Sequence, residues 1–477
     1  MILQTQAYQN NENELLRYVA NKVDYPLTHR VLQNFPPNRA FKYEFSGLSK
    51  WLKEVSTTPR QLHLYVSIPF CTYKGIDKNY PEKCGFCLFP TLPFSRKNLN
   101  AYLDGLINYE IPMYAEYIGK HTLNHPVDSI FMGGGTPNIL NNELYTRLLS
   151  VIKNSFLIKD NVEISTEGTP ELYSYDKLVQ FKKLGGTRIS IGVQQYNEDL
   201  LKLSGRTISK PHVVKIISNA IELGLSVSVD LIYGWPDQSL GRFLTELEEL
   251  LLTGISRITI YPLNISHSNY FSKELLSRIP PKNETKEMFY KSRELLISEG
   301  FTPVTLNDYE RKDAGLAVSL RHEIAMRNGH LSYRVGLGFA AGSKLLFVDK
   351  GYGMAYRNCF NRENGLNRYL SKLRNGIFPI ETYFKYSSED LLLNYISGAV
   401  QSFSIDINDF STHFPAVDFK EKFSCVLGVL ASLNWIYLKE DIVELTLEGQ
   451  FYTDIIQGLF FYDRIQCLKQ FTSVEPD

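Results

Sequence analysis

Three cysteines close one apolar run and set the first chemical expectation. The run is LHLYVSIPF, Leu62 to Phe70. Cys71 follows at once, then Cys84 and Cys87, in the pattern C-x12-C-x2-C. Thiolates are soft donors that hold zinc or iron–sulfur clusters. A structural zinc site closes with four ligands. A 4Fe–4S cluster held by three cysteines leaves one iron open to a substrate or cofactor, and an open iron does chemistry rather than stapling a fold. The other three cysteines, Cys359, Cys425 and Cys467, are scattered in apolar or mixed segments and read as ordinary buried or semi-buried thiols.

More polar features recur downstream at regular intervals. Gly133-Gly134-Gly135-Thr136-Pro137 removes side chains so that backbone groups can approach a ligand, and Thr136 adds a hydroxyl. Glu167 and Asp230 can accept hydrogen bonds from hydroxyls or an amino group. Arg206 can pair bidentately with a carboxylate. Gln194 offers one donor and one acceptor, with Gln195 beside it, and Asn264 follows the last of the series. Each has an ordinary reading too: a tight turn, a helix cap, a solvated arginine. Their common phase favours a site.

That phase comes from the elements that must position them. From Leu62 onward, short β-branched and aromatic runs alternate with helical patterns. The strands expected are 62–68, 129–132, 162–167, 188–193, 227–233 and 257–261. Amphipathic segments over 98–118, 142–156, 171–185, 210–224 and 240–254 lie between them, several ending in glycine. Six β–α repeats in succession predict parallel strands with right-handed crossovers, hence a partial (β/α)6 TIM-like barrel of the α/β class. In such folds the site lies at the C-terminal ends of the strands. The expected organisation is an N-terminal helical extension (1–60), the barrel core (61–285), a barrel-covering segment with a Gly-rich strand–turn–strand at 334–347 (286–386), and a small C-terminal helical domain with a β wing (387–477).

The bulk numbers exclude some functions. Lys+Arg and Asp+Glu are 51 each, so the net charge is zero and nothing calls for nucleic acid or an anionic membrane. No apolar stretch reaches the roughly 18 residues of a membrane span. The N-terminal segment lacks the basic-then-apolar order of a signal peptide, so a reducing, cytoplasmic location and free thiols are expected.

The segments YVSIPFC…CGFC, FMGGGTPNIL, STEGTPELY, RISIGVQQYNEDLLKLSGR and VSVDLIYGWPDQS resemble the radical S-adenosylmethionine (SAM) superfamily. They are most similar to the branch of oxygen-independent coproporphyrinogen III oxidase, which also holds a heme chaperone, heme-degrading enzymes and methyltransferases that use two SAM molecules. The resemblance covers about residues 60–350, and LTLEGQFYTDII resembles that branch's final domain. It implies that Cys71, Cys84 and Cys87 hold a 4Fe–4S cluster whose open iron binds SAM. Tyr65 and Phe86 would flank the first and second SAM. Gly134, Gly135 and Thr136 would contact the methionine ends. Glu167 would serve one SAM, and Gln194, Arg206 and Asp230 the other. Gly342 falls near a further contact of that branch. A small-molecule substrate, a reductant such as flavodoxin or ferredoxin, and a monomer are expected.

Two departures shape the functional expectation. The first cysteine spacing in the family is three residues, whereas here Thr72 to Lys83 intervene. Loop closure grows only logarithmically with length, so the extra residues cost under about 1–2 kcal/mol. Porphyrinogen oxidases carry another cysteine after the third ligand, where this chain has Leu88-Phe89-Pro90. The chaperone's His-containing signature is only echoed, as His330-Leu331-Ser332-Tyr333-Arg334. The favoured reaction is therefore methylation of a small planar intermediate with two SAM molecules. Tetrapyrrole oxidation or decarboxylation is the alternative, a heme-binding chaperone is the non-enzymatic one, and a zinc-stapled β/α protein is the least committal.

Overall fold

Six parallel strands carry the rhythm read from the sequence: β1 Gln61–Ile68, β2 Val127–Gly134, β3 Ile158–Gly168, β4 Arg188–Gln194, β5 Ser226–Tyr233 and β6 Arg257–Pro262. Each expected strand is present and somewhat longer than expected. The computed structural model describes residues 12–23, 35–43, 45–72, 84–122, 126–265, 269–312, 332–361 and 363–470. Residues 73–83, most of the long cysteine spacing, and His330-Leu331 lie outside the described residues.

The crossovers are helical. After β1 come α1 (Arg96–Gly105), a π-helical turn (Leu106–Glu110) and α2 (Ile111–Ile118). Then α3 (Asn142–Ser155), α4 (Tyr175–Lys183), α5 (Lys210–Glu222) and α6 (Leu240–Leu251) follow in turn. Their starts are set locally. Asn141 accepts from Leu144 N, Ser174 from Lys177 N and Ser239 from Arg242 N. Each side-chain oxygen satisfies an N–H that the first helical turn leaves open.

Chain order equals spatial order from β1 to β6, all parallel. The sheet continues past both edges. Beyond β6 lie β8 (Asp308–Arg311) and β7 (Phe301–Pro303), antiparallel. Beyond β1, β9 (Ser332–Leu337) adds one more parallel strand. Antiparallel β10 (Gly342–Phe347), β11 (Tyr352–Asn358) and β12 (Ile380–Tyr386) come next. The Gly-rich segment 334–347 is thus strand, turn, strand as expected. A long helix α7 (Lys282–Ser298) leads into β7. Helix α8 (Gly365–Arg374) precedes β12, and α9 (Ser388–Gln401) and α10 (Thr453–Phe460) belong to the C-terminal part, with a three-stranded wing. No described helix is long and apolar enough to cross a membrane.

The strands alternate by face. Leu62, Leu64, Val66 and Ile68, with Ile130, Ile164, Ile189, Ile191, Val227, Val229, Ile258 and Ile260, are buried in the main core, where the helices supply Leu148, Ile152, Leu178, Ile217 and Leu247. The opposite face is polar and self-paired. His63 Nδ1 and Ser129 Oγ stand 2.8 Å apart, Arg188 donates to Glu163 at 3.2 Å, and Arg257 is paired with Glu310. A parallel sheet packed on both faces would be apolar throughout. This one keeps one face for polar chemistry.

Candidate active site

The inner face opens toward its C-terminal end. Tyr65, Glu167, Gln194 and Asp230 are half-buried, while the residues on either side of each are buried. The four strands therefore aim these side chains into one accessible space, and the cysteine loop borders it.

Hydrogen bonds fix that loop from several sides. Leu92 N donates to Pro69 O at 2.7 Å and Phe94 N to Cys71 O at 3.0 Å, pinning Cys71 against the returning chain. Cys87 N donates to Cys84 O at 2.9 Å, which makes Cys84–Cys87 a tight turn; Gly85 N donates to Ser204 O at 3.1 Å. The Thr136 hydroxyl donates to Cys71 Sγ at 3.3 Å. Burial pushes the Cys71 thiol up to about 11; the Thr136 hydrogen bond opposes this, Cys87 adds to it, and Arg206 opposes it. Burial also pushes Cys84 up, Arg206 pulls it down, and Cys87 and Cys71 push it further up. Cys71 and Cys84 thus both feel Cys87 and the Arg206 guanidinium.

The glycine ribbon leaves no room for side chains. A Cβ on Gly133 would meet Glu167 Oε2 and the Tyr65 ring at 3.1 Å, and one on Gly135 would meet Phe70 O at 2.7 Å. Gly135 N donates to Ile68 O at 2.9 Å. Gly134 has φ of 108°, a conformation that L side chains rarely adopt. Thr136 is buried beside it.

The remaining residues occupy the same rim. Tyr65 stacks on Phe131 with ring centres 5.9 Å apart. Ser190 Oγ donates to Asp230 Oδ2 at 3.0 Å. Burial pushes Asp230 up to about 6, against the Ser190 hydrogen bond and the Arg188 charge. Arg206 Nη2 donates to Gly192 O at 2.8 Å. Gln194 sits at φ 69°, a left-handed conformation uncommon outside glycine, which turns the chain at the end of β4. Phe86 is part of a separate apolar cluster, 5.2 Å from the Trp235 ring and 6.3 Å from Phe271. The structure therefore gathers the sequence-derived residues at one end of the sheet, with Tyr65 on the β1 side and Phe86 near the far side. Sequence reasoning passed over Arg188, Ser190 and Trp235. The signal for the first two was present in RISIGV, whose polar residues alternate with apolar ones.

Residues 66–250 match the Radical SAM superfamily. Those residues are a radical SAM domain. Among its relatives, the heme chaperone HemW of Buchnera aphidicola (Acyrthosiphon pisum strain) is 28% identical over 253 residues, covering 52% of this chain and 63% of that protein. The oxygen-independent coproporphyrinogen III oxidase of Salmonella typhimurium is 24% identical over 433 residues, covering 87% of each. The solved coproporphyrinogen III oxidase (HemN) of Escherichia coli shares the fold, with a TM-score of 0.76, 22% identity, and coverage of 93% of this chain and 98% of that one.

A radical SAM domain implies a 4Fe–4S cluster and SAM. The donor set fits. Cys71, Cys84 and Cys87 offer three soft sulfur donors, one fewer than a closed zinc site takes, and the Thr136 hydroxyl donates to Cys71 Sγ at 3.3 Å. Buried thiols with raised pKa values also need a strong local cation to ionise, and coordinated iron is one.

Proposed function

We propose that this chain is a radical SAM enzyme acting on a tetrapyrrole-class substrate. Cys71, Cys84 and Cys87 would hold the cluster. When bound, it supplies the electron that splits the SAM sulfonium into methionine and a 5′-deoxyadenosyl radical. The observation that carries the reading is the cysteine loop, pinned by backbone hydrogen bonds and by the Thr136 hydroxyl beside the strand ends that carry Tyr65, Glu167, Gln194 and Asp230.

The chain's own residues would bind and orient. Thr136 donates to the Cys71 sulfur and so favours its thiolate. The backbone of Gly134 and Gly135 offers close approach for the methionine end of SAM. Glu167 and Asp230 accept from ribose hydroxyls or the amino group. Arg206 supplies positive charge beside the thiolates, Gln194 reads a neutral ligand edge, and Tyr65 and Phe86 flank from two sides. The number of SAM molecules, one or two, follows from whether both flanks are used. A flavodoxin- or ferredoxin-like reductant would deliver the electron.

The substrate class comes from the relatives, which are named heme chaperones and coproporphyrinogen oxidases. They lend no support to the methyl transfer favoured from sequence alone. Heme holding without turnover is the second reading, favoured by the chaperones among the relatives. The test uses anaerobically reconstituted protein with dithionite, SAM and coproporphyrinogen III. The expected result is 5′-deoxyadenosine together with loss of carbon dioxide from the substrate. Stoichiometric heme binding without SAM cleavage selects the chaperone reading. Transfer of labelled methyl groups into a tetrapyrrole restores methylation.

A further inference from the structure

Deeper on the accessible face, two cations stand side by side. Arg334 on β9 and Lys344 on β10 are directly opposite in the antiparallel ladder, which puts both side chains on one face. The Arg334 guanidinium lies 4.9 Å from the Tyr65 ring centre, and Tyr65 borders Gly133 and feels the Glu167 charge. The pair therefore shares the face of the candidate site. Like the site residues, Arg334 and Lys344 are half-buried between buried neighbours, so both reach the interior space.

Lys344 and Asn394 are a donor pair awaiting an anion. Lys344 Nζ donates to Asn394 Oδ1 on α9 at 2.8 Å. No carboxylate among the described residues pairs with Lys344. Its charged neighbour is Arg334, and burial with that second cation pushes the ammonium down to about 8. Asn394 is buried, and with Oδ1 committed to Lys344 its Nδ2 has no partner. A structural lysine this deep normally has a carboxylate, because an uncompensated cation and an unmatched amide donor both cost stability. An ammonium and an amide N–H suit an oxyanion with two acceptor atoms.

We propose that Lys344 and Asn394, with Arg334 beside them, form a carboxylate subsite that holds an acid side chain of the substrate while its ring faces the SAM pocket. The proposal rests on the tetrapyrrole reading above for the ring and on these residues alone for the carboxylate. The same chemistry would suit the methionine carboxylate of a SAM molecule, so the test separates the two sources.

The reconstituted protein and its Lys344→Met variant are titrated with coproporphyrin III and with its tetramethyl ester. Lys344→Met should weaken binding of the acid about tenfold or more and leave the ester unchanged. Equal effects on acid and ester, or no effect, overturn the subsite. Equilibrium dialysis with labelled SAM should give equal affinities for the two proteins. A tenfold loss there assigns the carboxylate to SAM and overturns the substrate assignment. If the wild type binds neither porphyrin, the tetrapyrrole reading fails, and thermal unfolding decides the subsite alone. Benzene-1,3,5-tricarboxylate should then raise the wild-type midpoint and not that of Lys344→Met. The ligand-free variant should also unfold at a higher temperature than the wild type. A lower midpoint with no response to the tricarboxylate in either protein overturns the proposal.

Discussion

At Asp230, burial and partners pull in opposite directions. Burial pushes its carboxyl up to about 6, Ser190 and Arg188 pull it down, Asp308 pushes it up, and Thr259 pulls it down. The sign for stability follows from linkage. With the folded pKa above the ordinary value, the folded state holds the proton more firmly, so stability is present at acid pH and lost as pH rises from about 4 to about 6. Above that range the carboxylate is the acceptor that the proposed SAM site needs. Asp230→Asn should therefore raise the unfolding midpoint of the ligand-free protein at pH 7.5 and weaken SAM about tenfold there. It should also abolish the drop in SAM affinity that the wild type shows as pH falls through about 6. Calorimetry and equilibrium dialysis read both. A variant that loses stability yet keeps full SAM affinity would make Asp230 a structural residue. Asp230 was legible in the sequence as a lone carboxylate inside VSVDLIY. Its tuning was not, because Ser190, Arg188 and Asp308 reach it only across strands. The pairing of Lys344 with Arg334 was hidden for the same reason: Arg334 stood out only as the end of the His330–Arg334 echo, and the meaning of the two lies in the register of β9 and β10.

Elements hold the rim in place through a buried carboxylate. Glu110 closes the π-helical turn between α1 and α2, a local under-winding of the helix, and its side chain is buried. It accepts from Gly338 N at 2.9 Å, from Asn358 Nδ2 at 2.7 Å and from Tyr369 OH. Tyr102 OH donates to Ser67 O and accepts from Phe339 N at 3.2 Å. The turn after β9 is thereby tied to the end of β1, next to the cysteines. Burial pushes Glu110 up to about 7 despite these donors. Stability from its protonated form is present below about pH 4.5 and lost as pH rises through about 7, on the order of 3 kcal/mol in all. Glu110→Gln should flatten the pH dependence of unfolding between about pH 5 and 7, measured by denaturant melts across that range; an unchanged slope would mean that another group sets it. Legibility differs sharply between elements. The six parallel strands could be read because each is a compact alternating run followed by a helix. Among β7 to β12, only the Gly-rich pair β9–β10 was anticipated, since short antiparallel strands paired over long separations leave little local period. The π turn left no trace in the helical pattern of 98–118.

The whole molecule reads as a partial barrel whose sheet runs on past both edges, with a C-terminal part that reaches back to it. Lys344 meets Asn394 of α9, and Lys286 of α7 meets Glu448 at 2.5 Å. The fold class was open to sequence reasoning because parallel β/α order constrains topology strongly. The reaction was not, because family motifs fix the radical SAM machinery and leave the substrate to side chains such as those of β9 and β10. The central claim is that Cys71, Cys84 and Cys87 hold a cluster that cleaves SAM. Its most direct test is anaerobic reconstitution of the wild type and of the Cys71→Ala, Cys84→Ala and Cys87→Ala variants. Iron, sulfide and zinc are then counted, and 5′-deoxyadenosine is measured after dithionite and SAM are added. The wild type should be brown, carry about four irons per chain and form 5′-deoxyadenosine, and the variants should form none. A colourless wild type with one zinc, no iron and no 5′-deoxyadenosine would contradict the central claim.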